Sequence, residues 1–107
     1  RPEDISGHME NILFIELMYR GYEVYVGDYN GKEIDLVAIK DGSRLYIQAC
    51  SSIDSQKTFD REFGNLAKIP DSFPKYVVMM EPGAYRGVTD TGIICCSLVE
   101  FLEKENY

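Results

Sequence analysis

Apolar residues recur along the chain with two periods, one typical of helices and one typical of strands. The stretch "MENILFIELMYR" (9–20) contains no Gly or Pro and is followed by a glycine, so it predicts an amphipathic helix. Its apolar stripe consists of Leu13, Phe14 and Leu17. Glu10 lies on the same face, at spacings of three, four and seven residues from them. We therefore expect Glu10 on the buried side of the helix, near its start.

Period-two alternation and β-branched residues predict strands in the next part of the chain. The predicted strands are 22–27, 32–40 and 44–51, with "DYNG" (28–31) as the turn after the first. The turn Asp41-Gly42 predicts that the second and third strands form an antiparallel hairpin. Residues 34–39 are nearly all apolar, which is typical of a central strand covered on both faces.

The remaining residues predict a helix, two strands and a short helix. In the helix 55–68, Phe59, Phe63 and Leu66 recur at helical spacing, and Ser55 is in position to cap the helix N-terminus. The strands are 75–81 and 93–98, and the last helix is 99–105. The order is α-β-β-β-α-β-β-α, so residues 1–107 are predicted to form one α/β domain.

Composition and charge narrow the class of protein. The chain is 45% hydrophobic and 27% charged, which is typical of a globular domain. It has no signal-peptide pattern and no apolar run near the roughly 20 residues of a membrane span, so no membrane partner is expected. The net charge of −7 disfavours binding of nucleic acid, because neutralising phosphates supplies most of that affinity. Three cysteines, including the adjacent core candidates Cys95 and Cys96, form no disulfide framework and indicate a reduced, cytoplasmic protein.

Three polar residues interrupt the predicted apolar faces. They are Glu10 in the first helix, Asp35 in the second strand and Gln48 in the third. A helix packed across the hairpin would bring them together. Carboxylate and amide oxygens suit Mg²⁺ or Mn²⁺, and such an ion activates water at a phosphodiester. We therefore predict these three residues as ligands of a divalent metal ion.

Each of the three also has a structural interpretation. The helix dipole favours an acid in the first turn, which is enough to explain Glu10. An unpaired buried carboxylate is costly, so Asp35 belongs either to a remnant metal site or to a structural hydrogen bond. Gln48 would then bond Asp35 or the backbone. The sequence leaves both interpretations open.

The order of elements and the placement of these residues resemble the PD-(D/E)XK nuclease fold, whose core is α-β-β-β-α-β. Members of that fold carry a Glu in the first helix, an Asp on the second strand and acid-x-Lys on the third. Glu10 matches the helical Glu, much as in archaeal Holliday-junction resolvases. Asp35 matches the motif Asp, and Gln48-Ala49-Cys50 falls where acid-x-Lys belongs. The resemblance implies a restriction-endonuclease-like fold, with a central mixed β-sheet flanked by helices, and a nuclease-like catalytic set.

The missing lysine is the main departure from that pattern. One well-placed electrostatic group is worth about 10²–10³ in rate, and Cys50 supplies no cation at neutral pH. Lys57 or Arg61 on the second helix is a candidate replacement, and Arg61 alternatively pairs with Glu62 or a neighbouring acid. Cys50 has no histidine partner and is not predicted as a nucleophile. His8, the only histidine, precedes the predicted helix and is not predicted as a catalyst.

A second resemblance covers nearly the whole chain. It is to the C-terminal domain of unknown function that follows the ATPase module in prokaryotic AAA-superfamily ATP-binding proteins. The matching blocks are "GHMENILFIELMYRGYEVYVG", "EIDLVAIK", "YIQACSS", "REFGNLAKI", "PKYVVMM" and "VEFL". The resemblance implies an ATPase module upstream in the same protein. ATP would bind there, since this chain has no GxxxxGK[ST] phosphate loop.

The first residues bear on the same expectation. The chain begins with Arg1 rather than Met, which predicts a fragment of a longer protein. The residues "GHM" (7–9) match a cloning remnant as well as the start of the predicted helix, and the sequence leaves their origin open.

Three classes of function remain open. The leading expectation is a degenerate, catalytically inactive nuclease scaffold used for recognition or assembly. The alternatives are an active Mg²⁺-dependent DNA nuclease, resembling Holliday-junction resolvases, and a protein-interaction or homodimerisation module. Six tyrosines near predicted strand ends and loops suit either base stacking or a protein interface, and the acidic charge favours an interface. They are Tyr19, Tyr22, Tyr25, Tyr29, Tyr76 and Tyr85.

Overall fold

The computed structural model describes residues 2–107, with side chains from residue 5 onward. This part of the chain contains three helical segments, a 3-10 turn (Gly83–Tyr85) and six strands. The helical segments are α1 (Pro2–Tyr19), α2 (56–67) and α3 (Leu98–Glu103). The strands are β1 (Glu23–Tyr29), β2 (Lys32–Lys40), β3 (Ser43–Cys50), β4 (Lys75–Met79), β5 (Gly87–Val88) and β6 (Ile94–Ser97). The predicted α/β class and order are confirmed, and the two-residue strand β5 is an addition.

The strands form one mixed sheet in the order β1-β2-β3-β4-β6-β5. The neighbours β1–β2, β2–β3 and β5–β6 are antiparallel, whereas β3–β4 and β4–β6 are parallel. The predicted hairpin is confirmed, with Leu36 opposite Ile47. Its turn residues Asp41 and Gly42 both have positive φ, at 51° and 80°, as a two-residue type I′ turn requires.

Helices cover both faces of this sheet. On one face, Met9, Leu13 and Leu17 of α1 and Phe101 of α3 pack on alternate residues of β2, β3 and β4. On the other face, α2 packs Phe63 and Leu66 over the remaining positions. Cys95 and Cys96 lie in opposite cores, as predicted from the alternation of a strand.

The start and the apolar stripe of α1 differ from the prediction. The helix begins at Pro2 rather than at residue 9. A proline followed by two acids is a helix-start signal that precedes the apolar period. Phe14 is 41% exposed, and Met9, at 1%, takes the place in the stripe that we had expected Phe14 to fill.

The first hairpin turn also differs from the prediction. Strand β1 continues to Tyr29, and the turn is Asn30-Gly31, with φ of 52° and 80°. Asn-Gly is the strongest short signal for a type I′ turn, so it prevails over the wider "DYNG" loop.

α2 is one continuous helical segment that widens in the middle. Ser55 caps it as predicted, because its Oγ accepts a hydrogen bond from the Thr58 N–H at 3.1 Å. The turn Asp60–Gly64 is π-helical, and it buries Glu62 and Phe63. Single π-turns inside helices are frequent at functional sites.

Tyr107 joins the C-terminal segment to α3 and to Arg20, the residue that follows α1. Its ring stacks on Phe101 with centroids 4.1 Å apart, and the Arg20 guanidinium lies 4.3 Å from its centroid. Its hydroxyl is buried without a hydrogen-bond partner among the described residues. Burial raises the pKa of Tyr107 to about 12.

Tyr107→Phe is expected to raise the free energy of unfolding by about 1 kcal/mol, since leaving a buried polar group unpaired costs about 1–3 kcal/mol. The substitution keeps the stacked ring and removes only the hydroxyl. Urea unfolding at pH 7 measures the change. Tyr107→Leu, which loses the stacking as well, is the control and should be less stable than Tyr107→Phe. A Tyr107→Phe variant less stable than the native chain would show that the hydroxyl has a partner in solution.

Candidate functional site

The polar residues singled out in the sequence meet at one open cleft of about 1020 Å³. It lies between the first half of α1, the ends of β2 and β3, and α2. The structure brings together all six of the residues discussed for nuclease-like chemistry: Glu10, Asp35, Gln48, Cys50, Lys57 and Arg61. The meeting of Asp35 and Gln48 follows from the register of the β2–β3 hairpin, which places them opposite each other just beyond the last regular pair.

The side chains of Asp35 and Gln48 connect the ends of β2 and β3 through hydrogen bonds to the backbone of the neighbouring strand. The Asp35 backbone N–H donates to Gln48 Oε1 at 2.8 Å, and the Ala49 N–H donates to Asp35 Oδ2 at 2.9 Å. Gln48 Nε2 also donates to the Arg61 carbonyl at 3.4 Å, which ties α2 to the sheet. The structural interpretation of Gln48, a bond to Asp35 or the backbone, is therefore confirmed.

The cleft raises the pKa of its carboxyl groups. Burial is the largest cause of the raised pKa of Asp35. The Ala49 N–H lowers it, the charge of Glu33 raises it and that of Arg61 lowers it, so that the net shift is upward. Burial also raises the pKa of Glu10, and the negative charges of Asp35 and Glu33 add to the effect. Protonation is therefore easier here than at exposed carboxyl groups.

Glu62 is an acidic residue of the cleft that was not among the residues predicted from the sequence. Its side chain lines the cleft, and the residue is only 6% exposed. Burial raises its pKa to about 7, and the negative charges of Asp35 and Glu10 act in the same direction. Its neighbour Arg61 lowers the pKa but forms no ion pair with it, so the predicted Arg61–Glu62 bridge is wrong.

A signal for Glu62 is present in the sequence. It lies three residues after Phe59 and four before Leu66, and therefore on the apolar face of α2. A carboxylate on a buried face indicates either a paired group or a site. The same reasoning that singles out Glu10 applies to Glu62.

Cys50 occupies the position where the nuclease pattern has a lysine. Burial raises the pKa of its thiol to about 12, and the charge of Glu62 adds to this, so the thiol is neutral at pH 7. The cations of the cleft come from elsewhere. Lys57 and Arg61 of α2 are both exposed and both line it.

The predicted metal ligands do not form a ready cage for an ion. Among residues 5–107, no three histidine, cysteine or acidic side chains come together closely enough to hold a metal ion. The Gln48 oxygen already accepts the Asp35 N–H. Metal binding by Glu10, Asp35 and Gln48 therefore stays a prediction.

The tyrosines do not share one surface. Tyr76 is 2% exposed and packs edge-on against Phe101, so the prediction that it serves stacking or an interface is wrong. Tyr85 joins an aromatic cluster with Phe59 and Phe63 beside a second cavity of about 410 Å³. Tyr19 is the most exposed, at 87%.

Comparison with known proteins assigns no activity to this cleft. No family model matches the chain. An uncharacterized protein of Haemophilus influenzae is 40% identical over 73 residues, which are 68% of this chain and 18% of that protein. The chain therefore spans less than a fifth of the length of the relative it matches. Within residues 2–107, no helix combines the length and the apolar character needed to cross a membrane.

Proposed function

We propose that the chain is a restriction-endonuclease-like module of a larger prokaryotic ATP-binding protein in the cytoplasm, that it does not cut nucleic acid, and that it serves recognition or assembly. The observation that carries the proposal is the state of two β3 positions. Gln48, at the position of the acid, is 1% exposed and uses both ends of its amide in hydrogen bonds within the protein. Cys50, at the position of the lysine, is a buried neutral thiol.

The charge of the cleft supports the same proposal. Six acidic and four basic residues line it. A phosphodiester backbone is a polyanion whose binding depends on neutralisation by Lys and Arg. The excess of acids therefore disfavours nucleic acid at the place where cleavage would occur.

The length of the matching relative supports a larger parent protein. The Haemophilus relative extends well beyond the matched region, which is 18% of its length. The chain carries no phosphate loop, so the nucleotide of an ATP-binding protein would bind in another part of that protein. The upstream ATPase module is then the first expected partner.

A metal-dependent DNA nuclease is the second candidate, and one observation favours it. Only one carboxylate oxygen of Asp35 accepts a hydrogen bond from the described residues, so the other is available on the cleft side. Glu10 is close enough to Glu62 for its charge to raise the pKa of Glu62, and Arg61 or Lys57 would supply the cation. This alternative requires an ion to draw the carboxylates together.

Ion binding and cleavage separate the two candidates. Native chain and Asp35→Asn are titrated with Mn²⁺ by calorimetry, since Asn keeps an acceptor for the Ala49 N–H and preserves the fold. The same proteins are incubated with branched and linear DNA in Mg²⁺ or Mn²⁺. We expect no cleavage by either protein and no heat of binding that depends on Asp35.

Glu103→Gln, an exposed acid of α3 remote from the cleft residues, is the matched control for loss of one negative charge. Cleavage by the native chain that is lost in Asp35→Asn and in Arg61→Ala, but kept in Glu103→Gln, would replace the proposal with the nuclease. Ion binding without cleavage would leave the inactive scaffold standing and add a metal site to it.

A further inference from the structure

α1 carries a second apolar face on the side away from the sheet. The exposed apolar residues of α1 and their exposed fractions are Ile5 44%, Ile12 43%, Phe14 41%, Ile15 67%, Met18 52% and Tyr19 87%. Together with the buried stripe, they make α1 apolar around most of its circumference. A helix of this kind is typically covered on both sides.

The spacing along this face is that of a helix–helix seam. The seam positions are Ile5, His8, Ile12, Ile15 and Tyr19, and the steps between them alternate between three and four residues. A 3-4 alternation is the heptad pattern that packs one helix along another. The seam is about 21 Å long, from the rise of 1.5 Å per residue.

The seam is nearly symmetric about its centre. Ile12 lies seven residues after Ile5 and seven before Tyr19. A two-fold, antiparallel pair of α1 helices therefore brings Ile12 against Ile12 of the second copy and Ile5 against Tyr19 of the second copy. A two-fold interface needs this kind of self-complementary surface.

Area and charge both fit a second copy of the chain. The four apolar residues of the seam present roughly 500 Å² of surface, more than half of the ~800 Å² that each partner contributes to a stable interface. The seam itself contains no acidic residue, although the chain carries a net charge of −7. It is thus a surface on which two acidic chains can approach without placing like charges in contact.

We propose that α1 pairs with α1 of a second copy of this chain in an antiparallel, two-fold homodimer that buries this seam. Glu10, which faces the cleft, projects from a different side of the helix. The dimer proposal is therefore independent of the proposal for the cleft, and each can be tested without the other.

The oligomeric state of the 107-residue chain tests this proposal. Sedimentation velocity or light scattering over a range of concentrations should show a dimer. Ile12→Asp and Ile15→Glu should each weaken it about 100-fold or more, because each places two like charges in the interface. Both positions are exposed in the single chain, so circular dichroism and urea unfolding should show an intact fold. Val99→Asp, at an apolar residue of α3 that is 61% exposed, is the control and should remain dimeric.

Cysteine crosslinking tests the antiparallel arrangement. The three native cysteines are buried, so a thiol placed on the seam is the one that an oxidant reaches first. Ile12→Cys should form a disulfide-linked dimer. Ile5→Cys and Tyr19→Cys should link when mixed and not when alone. A native chain that is monomeric at all concentrations, or a dimer that survives both charge substitutions, would overturn the proposal, and self-linking of Ile5→Cys would overturn the antiparallel pairing.

Discussion

Glu62→Gln is expected to raise the free energy of unfolding by about 3 kcal/mol at pH 8 and to change it little at pH 4. The folded protein holds the proton of Glu62 up to a pKa of about 7, whereas the unfolded chain releases it near the ordinary value of 4.5. The unfolded state therefore binds fewer protons between these values, and stability falls as pH rises through that window. A difference of one between the folded and unfolded pKa values corresponds to about 1.4 kcal/mol. Gln keeps the neutral shape and removes the cost of ionisation.

Urea unfolding of the native chain and of Glu62→Gln at pH 4, 6 and 8 measures this effect. Some slope should remain in the variant, because the pKa values of Glu10 and Asp35 are also raised. Glu103→Gln, at an exposed acid, should follow the native curve. A native stability that is flat between pH 4.5 and 7, or a Glu62→Gln variant that is less stable at pH 8, would show that Glu62 is stabilised as an anion by a partner.

Gln48→Ala is expected to lower the free energy of unfolding by about 4 kcal/mol. It leaves the Asp35 N–H and the Arg61 carbonyl without their partner, at about 1–3 kcal/mol for each buried group, and it opens a cavity at a residue that is 1% exposed. Urea unfolding at pH 7 measures the loss. A loss of less than about 1 kcal/mol in the free energy of unfolding would show that the side-chain hydrogen bonds between β2 and β3 do not hold the strand ends together.

Gln48→Glu is the informative companion to this variant. A neutral carboxyl keeps the size of the side chain and an acceptor for the Asp35 N–H, so the variant should be near native at pH 4. At pH 8 it should be strongly destabilised, because a charged carboxylate there faces Asp35 and Glu62 without a cation of its own. Equal effects at pH 4 and pH 8 would argue that position 48 is open to solvent.

The local elements of the fold were predictable because their signals are local. The Asp41-Gly42 turn and the Ser55 cap each depend on one or two residues. The start of α1 was not predictable from the apolar period, since the first residues of the helix precede that period. The exposure of Phe14 depends on which side of the helix meets the sheet, and three residues of the predicted stripe do not decide that.

The site was predictable in part for the same reason. The hairpin register alone places Asp35 opposite Gln48, which the sequence indicates. The spacing of Glu62 from Phe59 and Leu66 indicates its buried face, but the π-helical turn that carries it has no propensity signal. Nor does the sequence show that Gln48 uses both ends of its amide within the protein, because its second partner is a backbone carbonyl of α2. Both facts bear on the proposal of an inactive site, and both depend on tertiary packing.

The change from antiparallel to parallel pairing at β3 has a consequence for how the chain folds. Strands β1, β2 and β3 are consecutive and joined by two tight turns, so they can pair within microseconds as local hairpins. β4 reaches β3 only after the crossover through α2 has been closed, which is slower. The side-chain hydrogen bonds between β2 and β3 can thus form in the early meander, while Glu62 enters with α2 in the later step.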